Sequence, residues 1–108
     1  MFDFHPISSY FHKAVRDAMI VGAHIIVQGM VQGVGFRYFV HSRAVRAALD
    51  GHVRNLCNGD VEVEVEGDRS LIEELIKELR IGPRAAGVTN VRVDWKKPEH
   101  LVRGFNIR

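Results

Sequence analysis

Gly29, Gly33 and Gly35 fall within seven positions of the stretch VQGMVQGVGFRYFV, and Arg37 follows two residues after the last of them. That pattern suits one kind of chemistry. A glycine turn leading into a helix exposes successive backbone N–H groups and aims the positive end of the helix dipole at one point, where an anion such as phosphate would sit. Glycines alone serve equally well as a tight strand-to-helix connection. Arg37 tips the balance. A cation in the first turn of a helix opposes the dipole at a local cost of roughly 0.3–1 kcal/mol, and a phosphate gripped by the guanidinium fork would offset it. A solvated arginine, or one with a carboxylate partner, is the plain alternative.

The second candidate is Asn55, in GHVRNLCNGDVEVEVEG, where two alternating segments flank Asn58-Gly59. A two-residue turn would pair Val53 with Glu64 and Arg54 with Val63, setting apolar against charged along the whole ladder. A three-residue loop, Cys57-Asn58-Gly59, pairs Val53 with Val63 and Asn55 with Val61 on one face, and Arg54 with Glu62 and His52 with Glu64 on the other. Only the longer loop sorts both faces, and it turns Asn55 toward the same side as Val53. There its amide could hold a water beside a bound phosphate; a turn-capping asparagine is the competing role.

These residues must be carried by something. From Ala23 the apolar, β-branched HIIVQGM reads as a buried strand. In FRYFVHSRAVRAALD, Phe36, Val40, Ala44 and Ala47 form the stripe of a helix, with Tyr38, His41, Arg43 and Arg46 on the wetter side. The hairpin follows. DRSLIEELIKELRIGP predicts a second helix with a Ser70–Glu73 capping box, a stripe of Ile72, Leu75, Ile76 and Leu79, and a stop at Gly82-Pro83. VTNVRVDW alternates as a strand, and RGFNIR offers a short last one. The order β-α-β-β-α-β plus a short C-terminal strand predicts an α+β, ferredoxin-like sandwich: an antiparallel sheet with two helices on one face. In it the first two strands run the same way with the third between them, so Asn55 ends beside the glycine turn. Residues 1–22 read as an N-terminal extension carrying a short helix capped by Ser8 or Ser9, and 23–108 as the domain.

Composition narrows the function. The 108 residues allow one modest core and a single site. No apolar run approaches the roughly 18 residues of a membrane span, and Lys13, Arg16 and Asp17 interrupt what a secretory signal would need. One cysteine, Cys57, rules out an intrachain disulfide and a multi-thiolate zinc site, which points to a reducing cytoplasm. The six histidines lack HxH or HExxH spacing, so no metal is expected. The net charge of +2 is spread along the chain, which suits a small anion at least as well as nucleic acid.

Neither nucleotide fingerprint fits: GxxxxGK[ST] is absent, and Tyr38 stands where GxGxxG needs glycine. GVGFRYFV echoes an RNA-binding signature, but that signature belongs on a central strand and this one opens a helix. The strands are expected to expose Glu62, Glu64 and Glu66, which would repel a nucleic-acid backbone.

Taken together, GMVQGVGFR, GHVRNLCNGDVEVEVEG, GP followed by VTNVRV, and the closing FNI resemble the acylphosphatase family over residues 23–108. The resemblance implies hydrolysis of acyl phosphates to a carboxylate and inorganic phosphate, by in-line attack of water and with no cofactor. It implies that Arg37 binds the phosphate, that Asn55 orients the water, and that backbone amides of Gln32, Gly33, Val34, Gly35, Phe36 and Arg37 form the cradle. The partner expected is a small acyl phosphate, with no nucleic acid and no membrane, and the chain is expected to be monomeric. A non-catalytic module of the same fold that binds phosphate or carbamoyl phosphate is the alternative. His52 stands where the family commonly has an aromatic, and Ala47-Ala48-Leu49 replaces a frequent Leu-Gly-Leu. Ala48 therefore either adopts a left-handed conformation or lies in a longer helix.

Overall fold

The computed structural model describes residues 19–101 and 103–108. The elements run β1 (Ile20–Met30), α1 (Phe36–Arg46), β2 (Asp50–Asn55), β3 (Val61–Asp68), α2 (Arg69–Ile81), β4 (Gly87–Lys96) and β5 (Phe105–Ile107). They form a ferredoxin-like sandwich whose five-stranded sheet has the order β4-β1-β3-β2-β5. β1 starts at Ile20, ahead of the expected Ala23, and pairs from its first residue with Asp68. The short helix expected around Ser8, Ser9 and Phe11 lies outside the described residues.

Alternation builds the core. Ala23, Ile25 and Val27 of β1, Val53 of β2 and Val61, Val63 and Val65 of β3 turn one way and are sealed by Phe36, Val40 and Ala44 of α1 and by Ile72, Leu75 and Leu79 of α2. The hairpin takes the three-residue loop, with Val53 opposite Val63 and Asn55 opposite Val61. Gly59 has φ of 99°, and the loop closes through Leu56 N–H on Asp60 O at 2.8 Å.

Three expectations need correction. The sheet is mixed, because β5 joins the edge parallel to β2. β4 and β5 lie at opposite edges, so the chain between them crosses the sheet's outer face. This crossing explains the second correction: Glu66 is buried, with 7% of its surface exposed. Its carboxylate accepts the backbone N–H groups of Glu99, His100 and Leu101, the last two at 3.1 Å. A carboxylate holding three amides pins the crossing segment, which alternation in β3 alone does not reveal. Third, the capping box does not form. Asp68 precedes the helix, and its Oδ1 accepts Ser70 N–H at 2.9 Å and Ser70 Oγ–H at 2.6 Å. With Asp68 as the cap, Glu73 faces Arg69 instead, at 3.3 Å.

The rest of the outer face is an ion-pair network. Arg54 and His24 both bond Glu62, and Lys96 Nζ lies 2.8 Å from Glu64. Arg54 holds the Glu62 carboxyl below the usual carboxylate range, and Glu64 raises Lys96. Burial, reinforced by Arg108, keeps His52 below the ordinary histidine value. Glu62 and Glu64 are thus half-buried and paired, not free charges on an open face.

Candidate active site

Loop 31–35 leaves β1 and enters α1 through two glycines with left-handed backbones, Gly33 at φ 73° and Gly35 at φ 78°. A Cβ at either would meet nothing within 4 Å, so conformation and not crowding demands glycine there. Gly29 has a different reason. It sits in a bulge against β4, where a Cβ would come within 2.2 Å of Gly87 O. The opening cluster therefore divides: one glycine shapes the sheet edge and two shape the turn.

Gly35 is the N-cap of α1 and no side chain caps this end. Phe39 N–H is the first to find a partner on the helix, Gly35 O at 3.1 Å. The first turn carries Arg37 and no acidic residue. Uncapped amides at the positive end of a dipole make an electropositive mouth.

A cleft of about 200 Å³ opens at this mouth, lined by Val31, Gly33, Gly35, Phe36, Arg37, Tyr38 and Asn55. Arg37 and Asn55 thus come together as β1 and β2 end side by side across β3. The carboxamide of Asn55 makes no hydrogen bond among the described residues. Turn capping falls to Asn58 instead, whose Oδ1 accepts Asp60 N–H at 3.0 Å. Arg37 spends one Nη1 donor on Arg108 O at 2.8 Å, while Arg108 N–H donates to Val53 O at 2.8 Å. The last residue of the sequence thereby ties the arginine to the strand that ends in Asn55.

Not every expected cradle residue lines the cleft. Val34 turns its side chain to the core, and the Gln32 side chain reaches away to Leu56 O and Asp60 O. Sequence reasoning missed three contributors. Tyr38, 75% exposed, stands on the rim, and Val31 on the floor. Arg108 was unreadable, because nothing in the alternation of FNI says that it pairs parallel to β2. A larger groove of about 430 Å³ between α2 and β4 mixes Glu73 and Glu74 with Lys77 and Arg80 and contains none of these residues. Among the described residues no three His, Cys, Asp or Glu side chains gather as a metal site, and no helix is long and apolar enough to cross a membrane.

The acylphosphatase family model matches residues 23–107, across both the glycine turn and the hairpin. The chain belongs to the acylphosphatase family. It is 48% identical over 84 residues to the acylphosphatase of Chlorobaculum tepidum, covering 78% of this chain and 91% of that one. The acylphosphatase of Trichormus variabilis is 43% identical over 96 residues, 89% of this chain and 94% of its own. Among solved structures, that of an acylphosphatase from Coxiella burnetii aligns with a TM-score of 0.81 at 36% identity, covering 86% of this chain and 97% of its own. Full-length HypF, in its phosphate- and nucleotide-bound form, aligns with a TM-score of 0.73 at 30% identity over 82% of this chain. There the match spans only 12% of the larger protein, whereas the acylphosphatases match nearly end to end. The enzyme class follows: an acylphosphatase, a hydrolase.

Proposed function

We propose that this acylphosphatase cleaves its substrate by direct in-line attack of water, with Arg37 and the loop amides on the phosphoryl oxygens and Asn55 on the water. The observation that carries this reading is the convergence of Gly33, Gly35, Arg37 and Asn55 on one cleft. A carboxylate leaves readily, so transfer through a loose transition state needs positioning and charge stabilisation more than a strong base. The water oxygen forms a bond to phosphorus as the phosphorus–acyl oxygen bond breaks. The bonding pair departs on the carboxylate, which leaves unprotonated, and the two protons of the water go with the phosphate, as dihydrogen phosphate in equilibrium with solvent.

Each part has one task. The uncapped N–H groups at the mouth of α1 and the free remainder of the Arg37 fork stabilise negative charge on the equatorial oxygens. The Asn55 amide accepts from the water and donates to the phosphoryl group, which fixes the line of attack. No metal and no cofactor takes part, the substrate is a small acyl phosphate, and the enzyme works in the cytoplasm as a monomer.

Release of phosphate from benzoyl phosphate, measured with and without chelator and with inorganic phosphate as competitor, tests this. Turnover should survive chelation and inorganic phosphate should compete. Loss of turnover on chelation overturns the metal-free mechanism; absence of turnover by folded protein favours a binding module. Asn55→Ala should lower kcat by about 10²-fold, the scale of one lost transition-state contact, with phosphate inhibition little changed.

A further inference from the structure

We propose that Gln32 is a positioning residue for this hydrolysis, acting through its side chain to set the phosphate loop against Asn55. The inference rests on the roles given above to Arg37 and Asn55.

Gln32 Nε2 lies 2.8 Å from Leu56 O and 2.9 Å from Asp60 O. Both partners are carbonyls, which only accept, so the carboxamide nitrogen must face them and both of its hydrogens are engaged. The two oxygens also close the hairpin loop. Asp60 O accepts Leu56 N–H at 2.8 Å, and Leu56 O accepts Gly59 N–H at 3.2 Å. Leu56 directly follows Asn55. One side chain therefore fastens the loop that opens α1 to the strand end that carries the asparagine.

The sheet does not make this connection. β1 and β2 are separated by β3, and the β1–β3 ladder ends at Val27 and Val61. Among the described hydrogen bonds, the two from Gln32 are those that join residues 31–35 to the hairpin. Arg37 reaches β2 only indirectly, through Arg108, whose N–H meets Val53 O two residues before Asn55. A misplacement of about 1 Å between reacting groups costs on the order of 10²-fold in rate, so a strut between the phosphate's cradle and the water's holder bears on kcat.

The test compares wild-type enzyme with Gln32→Met, which keeps the length and loses both donors, and Gln32→Asn, which keeps the amide and is one methylene too short. On benzoyl phosphate each should lower kcat by about tenfold or more, within the 10²-fold ceiling for misplacement, while the inhibition constant of inorganic phosphate moves less than about threefold. In an Asn55→Ala background, Gln32→Met should lower kcat by less than about twofold further, because the partner through which it acts is gone. Wild-type kcat in either folded variant overturns the proposal. So does the same fold-loss in both backgrounds, which marks a general structural role. If Gln32→Met does not fold, Gln32→Asn decides alone. Arg37→Ala and Asn55→Ala run in parallel: full activity in these overturns the site reading, whereas their loss beside an unaffected Gln32→Met overturns only the strut.

Discussion

The two helices of this protein begin in opposite ways. α2 starts on Asp68, which takes up Ser70 N–H and Oγ–H and so caps its own positive end. α1 starts on Gly35, with no side-chain cap; both first turns lack an acidic residue and carry an arginine, Arg37 in α1 and Arg69 in α2, so the cap is what differs. A capping aspartate is worth about 1 kcal/mol over alanine and only a few tenths over glycine, so α1 forgoes a small gain that α2 takes a few tens of residues later. The difference teaches where the chain expects its missing partner. Two opening amides of α2 have partners, Ser70 N–H on Asp68 and Arg69 N–H on Met19 O, whereas those of α1 stay open, in the reading proposed above, for an anion that arrives from outside.

The sharpest way to break this comparison is to remove Arg37, the cation that lines the cleft at the open end of α1. Arg37→Ala should lower kcat/KM on benzoyl phosphate by about 10³-fold, the scale on which an arginine stabilises phosphoryl transfer, and should weaken inhibition by inorganic phosphate in parallel. The fold should persist, since the side chain donates a single hydrogen bond, to Arg108 O, at the protein surface. If phosphate still inhibits at the wild-type concentration, the open end of α1 is not where phosphate binds.

The converse substitution belongs to α2. Asp68→Ala should cost about 1 kcal/mol, which for a domain of this size lowers Tm by about 4–8 °C, with kcat/KM unchanged. Thermal unfolding followed by circular dichroism, together with the benzoyl phosphate assay, separates the two readouts. A fall in activity at temperatures well below Tm would mean that the two helix ends are coupled, and that the division between stability and binding does not hold.

How far the sequence reveals this division depends on which forces act locally. The hairpin loop followed from alternation, because a wrong register would have put every valine against a charge, and it placed Asn55 beside the glycine turn. The helices followed from their stripes. Asp68, the first residue of DRSLIEELIKELRIGP and one before the observed start of α2, caps the helix, but Ser70 and Glu73 offered a competing pattern that local spacing could not reject. Glu66 looked like its neighbours Glu62 and Glu64 because alternation sets which face a residue takes, not what later crosses that face. Arg108 and the Gln32 side chain were invisible for a related reason. Each acts on a carbonyl far away in sequence, and backbone oxygens carry no residue-type signal.

The helix C-termini sharpen the comparison once more, on a smaller scale. α2 ends on Gly82 at φ 73°, the kind of position glycine fills without strain. α1 ends in a Schellman arrangement, with Leu49 N–H on Ala44 O at 2.9 Å and Ala48 N–H on Val45 O at 3.0 Å, yet its left-handed residue is Ala48 at φ 55°. Of the two conformations the sequence left open for Ala48, the left-handed one is realised. An L-residue there costs roughly 1–2 kcal/mol, and the greater freedom of glycine in the unfolded chain returns about 0.4–1 of that. Ala48→Gly should therefore stabilise the protein by about 0.5–1 kcal/mol, a rise of a few degrees in Tm. Activity should stay unchanged, because Ala48 lies at the far end of α1 from the cleft. Gly82→Ala is the matched control, and it should do the reverse for two reasons. Its φ is equally positive, and a Cβ there would come within 2.9 Å of Phe36 Cε2, in the ring that lines the cleft. If Ala48→Gly lowers Tm, the strain assigned to that left-handed alanine is absent and the end of α1 is held by its hydrogen bonds alone.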